Sequence, residues 1–220
     1  MSKIIKRNLI SLCILLILFL VLLFCLLWVD VRAIGPNGST IGLATINQYV
    51  WKMTGVNMNW YYITDYLGLI GIFTAFLFAL LGLSQLIKRK SLSKVDLDIY
   101  FLGVFYVVLI VIYGFFEINV VNYRPILMDG NLEASFPSSH TLMICCVMGS
   151  AMLQFKMRIK NRIILNVVNA MSVIVMLVTV MGRLISGVHW FSDIIGGLLL
   201  SGIMVSLYNS CILYIQNKDK

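Results

Sequence analysis

The sequence predicts an all-α integral membrane protein: a six-transmembrane-helix bundle with an interfacial helix between spans 1 and 2. Three observations carry this expectation. Of 220 residues, 60% are hydrophobic and only 12% are charged, too apolar for a soluble domain whose surface must be wetted. Six apolar runs approach or exceed the length a helix needs to cross a bilayer. Thirteen of the 17 Lys and Arg residues fall in short clusters that flank these runs on one side. The chain reads as one domain, residues 1–220.

Taken in order, Lys3, Lys6 and Arg7 precede an apolar run over 9–29. A signal peptide has a similar start, but its apolar core spans about 7–15 residues and ends at a small-residue cleavage site. This run is longer and has no such site, so it is expected to stay as the first span. Pro36-Asn37-Gly38 marks a turn. Leu43, Ile46, Val50 and Met53 then recur at three- and four-residue steps, with Asn47, Gln48 and Lys52 between them, which is one apolar helical face. Trp51, Trp60, Tyr61 and Tyr62 suit the membrane–water boundary, so this segment is expected to lie in the interface. The remaining spans are expected over 66–87, 99–121, 138–155, 163–181 and 191–215. Cys13, Cys25, Cys145, Cys146 and Cys211 all fall in apolar runs. Their spacing fits neither a zinc site nor a disulfide framework.

The basic clusters set the orientation. Three basic residues lie at the N-terminus, four over 88–94, four over 156–162, and two, Lys218 and Lys220, in the tail. Short loops rich in Lys and Arg stay cytoplasmic. A multi-pass protein of the cell membrane follows, with both termini cytoplasmic and the loops over 117–140 and 182–193 on the outer face. Topology accounts for the +8 net charge, so no nucleic-acid partner is implied.

Those two outer loops hold both histidines of the chain, His140 and His189, together with Arg124 and Arg183. His189 and Asp193 are four residues apart, a spacing that on a helix places them on one face. Asp193 can then fix the imidazole tautomer and leave the other nitrogen as a directed nucleophile. Arg183 offers a planar donor fork to a phosphate. Pro137 and Ser138 open a helix whose free N–H groups and dipole suit an anion, and His140 in its first turn is placed to donate a proton. Arg124 precedes Pro125 and belongs to an extended segment. Singly, each has a plainer reading: an interfacial anchor for Arg, a helix cap for Asp193, a solvated interfacial His. Jointly they form one ordered set. Asp129 and Glu133 read as solvated loop residues.

Arg124-Pro125, then Pro137-Ser138-Ser139-His140, then Arg183 with His189 six residues on and Asp193 four beyond, together resemble the three-part signature of the type 2 phosphatidic acid phosphatase superfamily. That superfamily also includes the vanadium haloperoxidases. The resemblance implies that His189 attacks phosphorus, Asp193 orients it and His140 protonates the leaving oxygen. Arg124, Arg183 and the backbone around Ser138 and Ser139 would hold the phosphoryl oxygens, with no metal or cofactor. Three positions depart from the family pattern. Glu117 stands where Lys is usual, Gly182 where Ser is usual, and Ser139 where Gly is usual. Directed into the site, Glu117 would pair with Arg124 or Arg183 and compete with phosphate; directed into the headgroup layer it would do little.

The expected function is a metal-independent membrane lipid phosphatase acting at the outer face through a phosphohistidine. Its substrate would be a lipid phosphate or an isoprenoid pyrophosphate; phosphatidate, phosphatidylglycerol phosphate and a cell-envelope carrier such as undecaprenyl pyrophosphate all fit. The alternatives are a lipid phosphotransferase and a non-catalytic lipid-phosphate binding protein. Substrate and membrane lipids are the expected partners, and the sequence specifies no oligomeric state.

Overall fold

Backbone polar groups in lipid must be satisfied within their own segment, and helices do this. The structure is a computed structural model describing residues 3–218. Lys220, counted above with the cytoplasmic clusters, lies outside the described residues, as do the side chains of Lys3 and Lys218. Seven α-helices are described: α1 (Lys3–Trp28), α2 (Ala44–Thr54), α3 (Met58–Arg89), α4 (Leu97–Ile118), α5 (Ser139–Arg158), α6 (Arg162–Ile185) and α7 (Phe191–Lys218). A short antiparallel pair, β1 (Arg32–Ala33) with β2 (Thr40–Ile41), brackets the turn at Pro36–Gly38.

Five helices, α1, α3, α4, α6 and α7, are long and apolar enough to cross a membrane, and the chain is a membrane protein. The run over 138–155 corresponds to α5, which is not among the five. Its residues include Ser139, Thr141, Gly149, Ser150 and Gln154. The cause is its position, for α5 packs against α3, α6 and α7 and is buried along most of its length. A helix that faces other helices can carry small and polar residues, which allow close packing and hydrogen bonding. Around it, Phe19, Leu102, Phe105, Leu142, Leu200 and Tyr208 belong to one buried apolar cluster.

The segment expected at the interface forms α2. Ile46, Tyr49 and Met53 are exposed, whereas Ala44 and Asn47 are buried. Of the expected apolar face, Ile46 and Met53 thus point away from the protein while Leu43 packs against the core, and the polar Asn47 points inward. Asn47 accepts from the Ser192 backbone N–H at 3.0 Å and donates to Ser192 Oγ at 2.9 Å, tying α2 to the start of α7.

The expected second span starts too late. Asn57 caps α3, accepting from the N–H groups of Asn59 at 3.1 Å and Trp60 at 3.4 Å. The helix then runs 32 residues, or about 48 Å. Trp60, Tyr61, Thr64 and Asp65, all ahead of the span expected over 66–87, thus belong to its first two turns.

At the opposite end from the two motif loops, Arg158 of α5 donates to Asp98 of α4 at 2.6 Å and also bonds Gln154. Tyr208 of α7 donates to the Asp98 carbonyl at 3.1 Å. This network fastens α4, α5 and α7 where the basic clusters lie.

At the motif-loop end, Gly187 holds the α6–α7 connection against the α2–α3 connection. Its φ is +69°, and a Cβ there would lie 2.1 Å from the Gly55 carbonyl oxygen. Gly187→Ala meets both the backbone penalty and the clash. It is expected to destabilise the protein by about 2 kcal/mol or more, read as a lowered Tm in detergent; an unchanged Tm would contradict this packing.

Candidate active site

The loop between α4 and α5 folds back on itself. The Arg124 N–H donates to the Glu133 carbonyl at 3.0 Å, and the Ser135 N–H to the Asn122 carbonyl at 2.9 Å. This places Arg124 in extended backbone, as expected before proline, and carries Ser135 toward α7. The Phe136–Pro137 peptide is cis, and α5 begins two residues later. The Ser138 N–H donates to the Asp193 carbonyl at 3.0 Å, so the two motif loops are hydrogen-bonded to each other. Glycines make room for this approach: a Cβ at Gly196 would lie 2.2 Å from the Phe136 ring, and one at Gly197 would lie 3.1 Å from the Ser138 carbonyl oxygen.

Asp193 is fully buried in the first turn of α7. Its Oδ2 accepts from Ser135 Oγ at 2.5 Å and from the Trp190 N–H at 2.8 Å, and its Oδ1 from Asn122 Nδ2 at 3.1 Å. His189 lies just before the helix, with Nδ1 at 3.8 Å from Asp193 Oδ2, beyond hydrogen-bond range. Ser135 Oγ bridges them, 3.0 Å from Nδ1. The serine proton is committed to the carboxylate, so Nδ1–H donates to Ser135 and Nε2 carries the lone pair. The expected orientation of His189 by Asp193 is thus relayed through a serine that sequence reasoning passed over.

His189 is 2% exposed, and its Nε2 has no hydrogen-bond partner. Burial holds the imidazole down at about 4, and Arg124 and Arg183 add to this against the pull of Asp193. At neutral pH the ring is uncharged, with its free nitrogen unprotonated. Two tryptophans fix the surrounding backbone. Trp51 Nε1 donates to the Gly187 carbonyl at 3.0 Å, and Trp190 Nε1 to the Tyr123 carbonyl at 2.8 Å.

Around this nitrogen the structure gathers the other predicted residues. The Arg183 side chain is fully buried, with its guanidinium 4.7 Å from the Tyr61 ring centroid. Its Nη2 bonds Asp65, while Nε and Nη1 have no partner. Arg124 Nε lies 3.0 Å from Glu133 Oε2, yet neither Nε nor Nη1 has a partner in hydrogen-bonding alignment. Glu133 is therefore a counter-ion rather than only a solvated loop residue. His140, in the first turn of α5, has Nε2 3.0 Å from Asp65 Oδ1, and its Nδ1 is unpartnered. Ser138 precedes the helix without a side-chain cap; its Oγ is also buried and unpartnered. Buried polar groups are nearly always hydrogen-bonded, so this concentration of unpartnered cationic donors around one free imidazole nitrogen marks a site built for an oxyanion.

Glu117, in the last turn of α4, lines a small cavity of about 10 Å³ with Tyr113, Ser135, Ser139 and His189. It pairs with neither arginine among the described residues; their acidic partners are Asp65 and Glu133. Of the two placements left open for Glu117, the pairing with an arginine is not found among the described residues. Asp65 had a signal of its own, as the sole acid in the long apolar α3, where a carboxylate is costly unless it has a partner.

Comparison with known proteins bears on the fold and the family. Over nearly the whole chain the fold is similar to the crystal structure of a transmembrane PAP2-type phosphatidylglycerolphosphate phosphatase from Bacillus subtilis. The TM-score is 0.60 at 19% identity, covering 96% of this chain and 98% of that one. No curated protein matches the chain. The PAP2 superfamily matches residues 116–217, a segment that holds every catalytic and phosphate-binding candidate named above. It is this segment, 116–217, that is similar to the PAP2 superfamily.

Proposed function

We propose that this protein is a membrane lipid phosphatase that cleaves a lipid phosphate or lipid pyrophosphate through a phosphohistidine on His189. The observation that carries this reading is the free, uncharged Nε2 of His189 among the unpartnered donors of Arg124 and Arg183. In the first step Nε2 forms a bond to phosphorus as the P–O bond to the lipid breaks, and His140 gives its proton to the departing oxygen. In the second, water attacks phosphorus, His140 takes up the water proton, and the N–P bond breaks to release phosphate. Arg124, Arg183 and the N–H groups opening α5 hold the negative charge in both transition states. Asp193, acting through Ser135, keeps the proton on Nδ1.

This charge stabilisation comes from the fixed cations Arg124 and Arg183, whose unpartnered donors face the site. Metal independence is the part of the reading that the EDTA experiment below tests. A free nucleophile is more than binding alone requires, which favours the enzyme over a lipid-phosphate binding protein.

A lipid substrate is supported by an apolar groove of about 360 Å³ that starts at His140 and Ser139 and runs past Gly68, Gly71, Met143 and Ile144. Phosphatidate, an isoprenoid pyrophosphate and phosphatidylglycerol phosphate all place a phosphoryl group at one end of a long chain. We further propose six spans, with α5 as the enclosed one, both termini cytoplasmic, and the site on the outer face of the cell membrane. The basic clusters at the opposite end of the bundle support that orientation.

Phosphate release from a panel of lipid phosphates, by purified protein in detergent with EDTA, tests the reaction. His189→Ala is expected to abolish turnover. His140→Ala is expected to slow it by roughly 10²–10⁴-fold on a lipid phosphate and by less on an aryl phosphate, whose leaving oxygen needs little protonation. Wild-type activity in His189→Ala, or loss of activity to EDTA with restoration by magnesium, would overturn the mechanism. For orientation, cysteines introduced at the exposed positions Asn131 and Asn161 separate the two faces. A membrane-impermeant thiol reagent on intact cells is expected to label the first and not the second, and the reverse pattern would invert the topology.

A further inference from the structure

Asp65 contacts two residues of the site, yet the proposed reaction gives it no role. Its Oδ1 is shared between His140 Nε2, at 3.0 Å, and Arg183 Nη2. These are the proposed proton donor and one of the two proposed phosphate anchors. An anionic oxygen within reach of both stands where an oxygen of a bound phosphoryl group would stand. Asp65 is also the only ion-pair partner of the fully buried Arg183 among the described residues, and a buried guanidinium requires such a partner. The carboxylate itself keeps 37% of its side-chain surface exposed, so it has room to turn away.

A second feature brings Asp65 to this place. A Cβ at Gly182 would lie 2.5 Å from Thr64 Cγ2 and 3.0 Å from Trp60 Cε3. A larger residue at 182 would hold the first turns of α3 away from α6. The glycine lets the turn carrying Asp65 close on Arg183, the very next residue. One turn further along α3, Gly68 faces the His140 ring, its would-be Cβ 3.6 Å from Cδ2. Gly182, one of the three positions where this chain departs from the signature it resembles, is thus the position that admits the carboxylate.

We propose that Asp65 is a built-in anionic competitor that holds the phosphoryl subsite between His140 and Arg183 and is displaced when substrate binds. This rests on the reading of that subsite as a phosphate site. Inorganic phosphate must displace the carboxylate with its own charge alone and binds weakly. A lipid phosphate also fills the apolar groove beside His140, and that burial offsets the displacement. Asp65 thereby biases the site toward phosphate carried on a lipid and against retention of the released product.

The test is calorimetric binding of inorganic phosphate to the wild-type protein and to Asp65→Asn in detergent, with KM for a lipid phosphate measured alongside. Asp65→Asn is expected to bind phosphate roughly tenfold more tightly, the order of one charge-assisted contact released to a ligand, with a smaller change in KM. If Asp65 serves only to hold Arg183 in place, the substitution loosens the guanidinium. Phosphate then binds equally or more weakly, which overturns the proposal while leaving the phosphatase reading intact. Binding to neither protein overturns the phosphate subsite and this proposal with it. Should Asp65→Asn fail to fold, Gly182→Ser replaces it, since its side chain pushes the Asp65 turn outward. Tighter phosphate binding is expected there too, and unchanged or weaker binding overturns the proposal.

Discussion

The arrangement depends on one buried carboxylate. Asp193 has no exposed surface, and an ionised group removed from water is tolerated only when its lone pairs are matched by donors. Its donors come from separate places in the chain: Asn122 and Ser135 from the first motif loop, and the Trp190 N–H from the second. Satisfying Asp193 therefore cross-links the loops, and the Ser138 N–H on its carbonyl adds a further tie. Leaving a buried acceptor without its donor costs about 1–3 kcal/mol, and more when the group is charged, so these bonds hold the loops together. The same bonds set the tautomer of His189 through Ser135, and fold stability and imidazole orientation have a common origin.

The membrane supplies the second constraint. Lipid-facing surfaces of α1, α3, α4 and α6 are almost wholly apolar, with large exposed residues such as Phe24, Phe73, Val107 and Leu177. That leaves α5, enclosed by other helices, free to carry polar residues. It has a polar contact at each end: His140 with Asp65 at one, Arg158 with Asp98 at the other. The candidate site is thus mounted on an enclosed helix, and α2 braces the start of α7 and the α6–α7 connection through Asn47 and Trp51. Charges at the opposite end fasten α5 without entering the chemistry.

Much of this was legible in the sequence, for reasons that differ by residue. Hydrophobic length exposed the spans because the bilayer imposes it, and His140, Arg183, His189 and Asp193 stood out because polar residues are few and their spacing is distinctive. What stayed hidden depended on tertiary contact. Ser135 looks like any loop serine until the hairpin-like loop brings it between His189 and Asp193. Asn47 reads as one of the polar residues of an interfacial helix, and only its pairing with Ser192 explains why this side chain turns inward while Lys52 stays exposed. Asp65 was lost to a boundary: the aromatic cluster at Trp60–Tyr62 reads as interface, yet the Asn57 cap starts α3 there. Glu117 drew attention by its position in a motif, but the counter-ions of the two arginines are Asp65 and Glu133, which lie on other segments.

The central claim is that His189 Nε2 becomes bonded to phosphorus. It is tested most directly by rapid quenching of the enzyme with a lipid carrying ³²P in its phosphoryl group, followed by denaturation in alkali and peptide mapping. A transient label on His189 is expected, stable to alkali and lost in acid as a phosphoramidate is, appearing before inorganic phosphate is released. Phosphate release with no protein-bound label at any time, or a label on another residue, would contradict it.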